Sequence, residues 1–168
     1  MMARARPSLA LRPYLAADAA LLAEIFRASI EELTAEDYSE AQRAAWASVA
    51  EDEAAFSKNL ATHLTLVAVL DGSPVGFAAL KGNDVVEMLY VHPAAIGQGA
   101  AMMLIDALEK LAAARGASHL TVEASDSAQD FFKKRGYEPM QRNSISIGGE
   151  WLANTSMKKP LAGGQGAS

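Results

Sequence analysis

The chain has 168 residues, of which 51% are hydrophobic and 21% charged, and it contains no cysteine. This length and composition are typical of one soluble globular domain with a sizeable core. The missing cysteine excludes disulfides, thiolate metal sites and a cysteine nucleophile, and it favours a reducing, cytoplasmic location. A net charge of −5 disfavours binding to nucleic acid, and no apolar run is long enough to span a membrane.

The first strand is predicted over residues 8–14, and three helical segments follow it. Asp18 is a suitable N-cap for a helix whose apolar residues recur at helical spacing as far as Leu33. Ser39 is the predicted cap of a short second helix that holds Trp46, and residues 51–60 indicate a third. Acids dominate this region, which is typical of a solvated helical face, although an acidic rim for a cationic substrate is an alternative.

Residues 64–91 predict an antiparallel meander of three strands, and a helix follows Gly99. HLTVEA, residues 119–124, is the next strand, and SDSAQDFFKKRGY, residues 125–137, predicts a helix capped by Ser125 or Asp126. The hairpin SISIGGEWLANTSMKK turns at residues 148–149. The crossover from residue 85 to residue 123 implies a mixed, mostly antiparallel sheet, and therefore an α+β (mixed α/β) fold. We expect one domain over residues 1–160 and a flexible tail over residues 161–168.

Three interpretations compete for the segment GQGAA, residues 97–101. A dinucleotide fingerprint needs a third glycine where Met102 stands, although Glu123 could meet a ribose, and too little chain follows for a second half-sheet. A Walker loop fails because no lysine follows Gly99. The third interpretation is a pyrophosphate cradle, in which the amides of residues 97–101 and the helix dipole face an anion. The structural alternative is that these small residues let the helix lie close to the sheet.

The longer segment LYVHPAAIGQGAA, residues 89–101, resembles the acetyl-CoA-binding motif of the GNAT superfamily of N-acetyltransferases. That motif is a strand ending in V-x-P, then Q/R-x-x-G-x-G/A and a helix. Val91, Pro93, Gly99 and Ala101 match it, whereas Ile96 stands where Gln or Arg is usual. The segments at residues 11–26 and 125–137 are similar to two further family segments. The resemblance spans residues 9–160 and is strongest to a bacterial branch of small, uncharacterised members.

This resemblance implies a GNAT-like fold with splayed central strands, acetyl-CoA as cosubstrate and no metal. The pantetheine would lie in the gap between the splayed strands like an extra strand, and a primary amine of a small molecule or peptide would attack the thioester directly. The implied cofactor contacts are Leu89, Tyr90, Val91, Ile96, Gly97, Gln98, Gly99, Ala100, Ala101, Ser125, Ser127, Phe131 and Phe132.

Glu87 is the candidate catalytic base, because direct transfer needs a group that takes the proton of the amine. Glu87 interrupts the apolar run VVEMLYV, residues 85–91, and strand alternation places it on the same face as Leu89. We therefore expect a carboxylate set within a mostly buried strand. The alternative is that Glu87 points to solvent or pairs with a basic residue.

The leaving thiolate also needs a proton, and the usual donor is absent. Many family members have a tyrosine four residues before the glycine of a Gly-aromatic pair, and Phe132 stands there in this chain. Tyr90, Tyr137, Ser125, Ser127 and a water molecule are the open substitutes. The missing donor keeps an alternative function open, a GNAT-like module that binds a CoA thioester without efficient transfer.

No metal site is predicted, because His63, His92 and His119 lack any metal-ligand spacing. Tyr38 and Trp46 are the candidate acceptor contacts, since the helical region often walls the acceptor pocket in the family. Core packing is the alternative for Trp46. The expected partner is an amine substrate, without nucleic acid or membrane, and the family adds a possible homodimer through the C-terminal hairpin.

Overall fold

A computed structural model describes residues 8–161. The predicted tail over residues 161–168 therefore lies outside the described residues, apart from Leu161. The strands are β1 (Leu9–Pro13), β2 (Leu64–Leu70), β3 (Ser73–Lys81), β4 (Val85–Val91), β5 (His119–Ser125), β6 (Glu138–Ile147) and β7 (Glu150–Pro160). The helices are α1 (Ala19–Leu33), α2 (Glu40–Ala47), α3 (Glu53–Thr62), α4 (Ala100–Ala114) and α5 (Gln129–Lys134).

The strands form a single sheet in the order β1-β2-β3-β4-β5-β7-β6. Every neighbouring pair is antiparallel except β4 and β5, which are parallel because α4 carries the chain across between them. This arrangement confirms the predicted mixed, mostly antiparallel sheet. Dimerisation through the β6–β7 hairpin stays a prediction.

Helices cover both faces of the sheet. Leu104, Ile105 and Leu108 of α4 are fully buried against one face. Phe26 of α1 and Phe56 of α3 are buried against the other face. We refer to these below as the α4 cluster and the α1 cluster. The two clusters lie on opposite faces of the central strands.

Helix α1 begins after Asp18, as predicted, but the Asp18 side chain forms no capping bond to this helix. Its carboxylate instead accepts from the amide of Leu15 at 2.9 Å and forms a bidentate ion pair with Arg12. Two other predicted boundaries are wrong, each for a local reason. Helix α5 begins only at Gln129, because Ser125 Oγ accepts from the amide of Ala128 at 3.2 Å and holds a tight turn before it. Strand β6 begins at Glu138, six residues before the predicted hairpin, because it pairs with β7 along nearly its whole length.

The central feature of the sheet is an incomplete pairing between β4 and β5. Only Val85–Thr121 and Val86–Val122 are paired, and beyond them the two strands separate. Strand β4 remains paired with β3, and β5 remains paired with β7, so each strand stays fixed on its outer side. This split is the predicted splay of the central strands.

A bulge in β4 lies immediately beyond the last β4–β5 pair. Leu80 pairs with Val86 and Ala79 pairs with Met88, so Glu87 is the extra residue. Val86 consequently lies in the α4 cluster and Met88 in the α1 cluster, although they are two residues apart. Bulges occur often beside active sites, where they redirect a side chain.

Candidate active site

A cavity of about 850 Å³ occupies the split and extends beneath the helical region. The half that contains the predicted cofactor contacts, here called the donor half, is lined by β4, β5 and the starts of α4 and α5, through Leu89, Val91, Ile96, Ala101, Ser125, Ala128, Phe131 and Phe132. The half that contains the candidate acceptor contacts Tyr38 and Trp46, here called the acceptor half, is lined by α1, α2 and the β6–β7 hairpin, through Phe26, Ser29, Leu33, Thr34, Tyr38, Trp46, Val49, Ile145, Ile147, Leu152 and Ala153. This volume is within the range of small-molecule sites, about 300–1,000 Å³.

The cavity brings together ten of the residues selected from the sequence. These are Glu87, Leu89, Tyr90, Val91, Ile96, Ala101, Ser125, Ser127, Phe131 and Phe132. The other four lie at the start of α4: Gly97, Gln98 and Gly99 form the exposed turn before it, and Ala100 is its buried first residue. The predicted set is therefore one cavity and the turn at its end.

The glycines of that turn are required by the backbone rather than by close approach of α4 to the sheet. Gly97 has a φ of +85° and Gly99 a φ of +89°, which L side chains rarely adopt. A Cβ added at either glycine would meet no atom within 4 Å, so the structural alternative has no steric basis here. The amides of the first turn of α4 have no acceptor within the helix and point outward from its positive end. The amide of Gln98, however, donates to the carbonyl of Ala95 at 3.2 Å, so it does not point outward with the amides of α4.

Glu87 lies where the split begins, but the expectation that the strand buries it is wrong. The residue is exposed and lines the cavity. The alternation argument that placed it on the face of Leu89 fails because the bulge changes the face of every residue after Val86. A carboxylate at this position is open to the cavity and to water.

A second carboxylate lies across the split and was missed as a candidate base. Glu123 follows Val122, the last β5 residue paired with β4, and it is exposed and lines the same cavity. Val122 and Ala124 lie in the α4 cluster, so alternation turns Glu123 toward the opposite face, which is the side of the acceptor half. The register between β4 and β5 was the signal needed to pair Glu123 with Glu87, and the sequence alone does not supply that register.

The structure shows which of the candidate proton donors, named as substitutes for the missing tyrosine, have a hydroxyl available to the cavity. Phe132 is only 2% exposed, and its ring stacks edge to face on Phe131 and Tyr137. The Tyr137 hydroxyl donates to Glu109 at 2.8 Å, outside the cavity lining, and burial together with Glu109 raises its pKa strongly. Ser127 Oγ donates to Asp37 at 2.7 Å, so its proton is already engaged. Tyr90 and Ser125 remain as hydroxyls that face the cavity.

Tyr90 joins the two halves of the cavity. Its ring contacts Phe26 and Phe77 with centroids 4.7 and 5.7 Å apart, and its hydroxyl accepts from Trp46 Nε1 at 3.3 Å. Burial, reinforced by the charge of Glu87, raises the pKa of Tyr90 to about 12 although the bond from Trp46 opposes this. The phenol therefore keeps its proton throughout the neutral range.

The acceptor half is an aromatic and aliphatic wall assembled from distant parts of the chain. The rings of Tyr38 and Trp46 meet edge to face at 5.4 Å. Gln42 of α2 donates to the carbonyl of Trp151 at 2.8 Å, which ties the hairpin to α2. Both predicted acceptor contacts line the cavity, but the Tyr38 hydroxyl is bonded to the main chain of Asp126 and Ala153.

Within residues 8–161, no group of three or more His, Asp or Glu side chains could hold a metal ion. In the same part of the chain, no helix is both long enough and apolar enough to cross a membrane.

Comparison with known proteins gives a consistent result. The model of the acetyltransferase (GNAT) domain matches residues 34–161. The uncharacterised N-acetyltransferase YafP of Escherichia coli K12 is 30% identical over 151 residues, covering 90% of this chain and 95% of YafP. A GCN5-related N-acetyltransferase from Rhodopseudomonas palustris superposes with a TM-score of 0.90 at 61% identity, covering 96% of this chain and 99% of that one.

PaiA N-acetyltransferase from Thermoplasma acidophilum, solved in complex with coenzyme A, superposes with a TM-score of 0.75 at 19% identity. The match covers 91% of this chain and 99% of PaiA, and at this sequence identity it supports the fold alone. The resemblance read from residues 89–101 is thus confirmed by the family match and by the fold. The chain belongs to the GNAT superfamily and is an acetyltransferase.

Proposed function

We propose that this acetyltransferase uses acetyl-CoA and moves the acetyl group directly to a primary amine. The observation that carries the proposal is the split between β4 and β5, where pairing ends after Val86–Val122 and a cavity begins. Beyond that pair, β4 is bonded to β3 on one side only, so main-chain groups of Leu89 and Val91 are free to face the gap. An extended amide-bearing chain such as pantetheine fits this edge.

The turn before α4 fits the other end of the donor. Gly97 and Gly99 hold left-handed conformations that expose the amides of the first helical turn, and the helix dipole favours a pyrophosphate there. Ile96 replaces the usual polar residue, so this chain supplies one side-chain donor fewer and relies more on its main chain. When bound, acetyl-CoA supplies an activated acyl group.

The residues of the chain orient the amine and move protons. Glu87, at the start of the split, accepts a proton from the incoming amine, either directly or through water. Glu123 across the split adds negative charge that attracts an ammonium group before it loses its proton. Tyr90 keeps its proton at neutral pH and is a donor candidate for the leaving sulfur, with Ser125 as the other.

The test is a steady-state screen of CoA release with acetyl-CoA and a panel of alkyl amines, aromatic amines, amino acids, polyamines and peptides. Mass spectrometry of each amine checks for one added acetyl group. We expect amine-dependent release with at least one class, and tight binding of acetyl-CoA by calorimetry without any amine.

The outcomes separate the candidate functions. Tight acetyl-CoA binding with no stimulated release by any amine would favour the thioester-binding module over the enzyme proposed here. Absence of acetyl-CoA binding by the folded protein would contradict both.

A further inference from the structure

The loop between α1 and α2 reaches across the cavity and bonds to the far end of β5. The Tyr38 hydroxyl accepts from the amide of Asp126 at 2.9 Å and donates to the carbonyl of Ala153 at 2.6 Å. Asp37 accepts from Ser127 Oγ at 2.7 Å. These bonds join the loop to the turn after β5 and to β7, both about a hundred residues away in the chain. We call Asp37, Tyr38, Asp126 and Ser127 the clasp.

The clasp is anchored on its β5 side. Arg142 of β6 forms a bidentate pair with the carboxylate of Asp126 and also donates to Thr155 Oγ1 at 3.1 Å. The main-chain amide that Tyr38 binds therefore belongs to a turn already fixed to β6 and β7. Movement of the Tyr38 loop would break bonds to a rigid partner rather than to a free loop.

A line of contacts leads from the clasp back to β4. The Tyr38 ring meets Trp46 edge to face at 5.4 Å, and Trp46 Nε1 donates to the Tyr90 hydroxyl at 3.3 Å. The two strands that stop pairing at Val86–Val122 are thus joined again, near their far ends, by Tyr38, Trp46 and Tyr90. Tyr38 is 5% exposed yet belongs to neither the α1 cluster nor the α4 cluster, so its contacts serve this bridge rather than the core.

We propose that Tyr38 is a positioning residue for acetyl transfer, because its hydroxyl fixes the width of the β4–β5 split on the acceptor side and sets the acceptor wall against the donor. This inference rests on the proposed function. It also explains why a tyrosine that lines the cavity has no free hydroxyl to offer a substrate. A loosened clasp would let Trp46 shift, and misplacement by about 1 Å can cost roughly 100-fold in rate.

Tyr38→Phe tests the proposal, because it keeps the ring and removes both hydrogen bonds. Tyr14→Phe is the matched control, since the Tyr14 hydroxyl bonds to Ser57 Oγ at 2.7 Å outside the cavity lining. With the best amine of the panel, we expect Tyr38→Phe to lower kcat/KM by about 10- to 100-fold, mainly through the amine KM. We expect its acetyl-CoA affinity to stay within about threefold of the parent, and Tyr14→Phe to leave kcat/KM unchanged.

A second readout needs no amine, so it survives failure of the proposed function. The chain has two tryptophans, and Trp151 is 65% exposed, so Trp151→Phe leaves Trp46 as the sole tryptophan probe. In that background we expect Tyr38→Phe to increase acrylamide quenching of Trp46, and Tyr14→Phe to leave it unchanged. Unchanged quenching in Tyr38→Phe, or a kcat/KM equal to that of Tyr14→Phe, would overturn the positioning role.

Discussion

The donor half and the acceptor half of the cavity are formed by different kinds of chain segment. Most of the donor half comes from residues 87–101, which supply the main chain of β4, a turn with two left-handed glycines and the start of α4. The end of β5 and the start of α5 complete it. The acceptor half uses side chains from residues 26–49 and residues 145–156, which are joined by hydrogen bonds from Gln42 to Trp151 and from Tyr38 to Ala153. A site built largely from one continuous stretch of main chain has a local sequence pattern of glycine and proline, whereas a site built from distant side chains has no such local pattern.

The largest expected effect is at the boundary between the two halves. Glu87→Gln removes the candidate base without changing its size, and we expect kcat to fall by about 10²–10⁴-fold with acetyl-CoA affinity nearly unchanged. The measurement is kcat for the best amine across a pH series, with calorimetry for the donor.

Glu123→Gln is the matched variant for this test, because Glu123 faces the same cavity from β5. We expect it to raise the amine KM and to keep most of kcat. If Glu123→Gln lost kcat while Glu87→Gln kept it, the base would belong to β5, and the donor strand would contribute only its main chain.

The next effect concerns the donor half alone. Gly99→Glu places a carboxylate and a strained side chain where φ is +89°, so we expect acetyl-CoA affinity to fall by at least about 100-fold. Gly116→Glu is the control, because Gly116 has a φ of +90° at the other end of α4 and also has no atom within 4 Å of an added Cβ. Equal acetyl-CoA affinity in these two folded variants, measured by calorimetry, would remove the cradle.

The difference between local and long-range contributions to the site also explains which features could be predicted from the sequence. The meander, the crossover and the glycine turn were predicted, because period-two alternation and Gly-Pro signals act within a few residues. Glu87, selected as the candidate base, lines the cavity but was placed on the wrong face, because the bulge depends on pairing with β3. The placement of Glu123 opposite Glu87 and the hydrogen bonds of the clasp were not predicted, because each depends on a register between strands or loops far apart in the chain.

Phe132 tests whether the donor half also needs its side chains. The residue is buried between Phe131 and Tyr137, so we expect Phe132→Leu to lower the free energy of unfolding by about 1–2 kcal/mol and to weaken acetyl-CoA binding several-fold. We expect the pH–rate profile to keep both limbs, because a phenyl ring transfers no proton. Urea unfolding and kcat/KM against pH are the measurements. Loss of one limb in Phe132→Leu at unchanged affinity would mean that this position takes part in proton transfer.

The smallest expected effect tests the acceptor half alone, at the tip of the β6–β7 hairpin. Gly148 has a φ of +54°, and a Cβ there would lie 3.2 Å from the Cβ of Ala45 on α2. Gly148→Ala should push the tip away from α2 and raise the amine KM by about 3- to 10-fold, which corresponds to roughly 1 kcal/mol of overpacking, while acetyl-CoA affinity stays unchanged. Gly149→Ala is the matched control, because Gly149 also has a positive φ, +83°, but no atom lies within 4 Å of its added Cβ. Both variants carry the backbone strain of a left-handed alanine, so only the contact with Ala45 differs between them.

If the two variants raised the amine KM equally, the contact between hairpin and α2 would not shape the acceptor half. If Gly148→Ala weakened acetyl-CoA binding as well, the two halves would be coupled through the hairpin. The two halves would then be formed by different parts of the chain but would not bind their ligands independently.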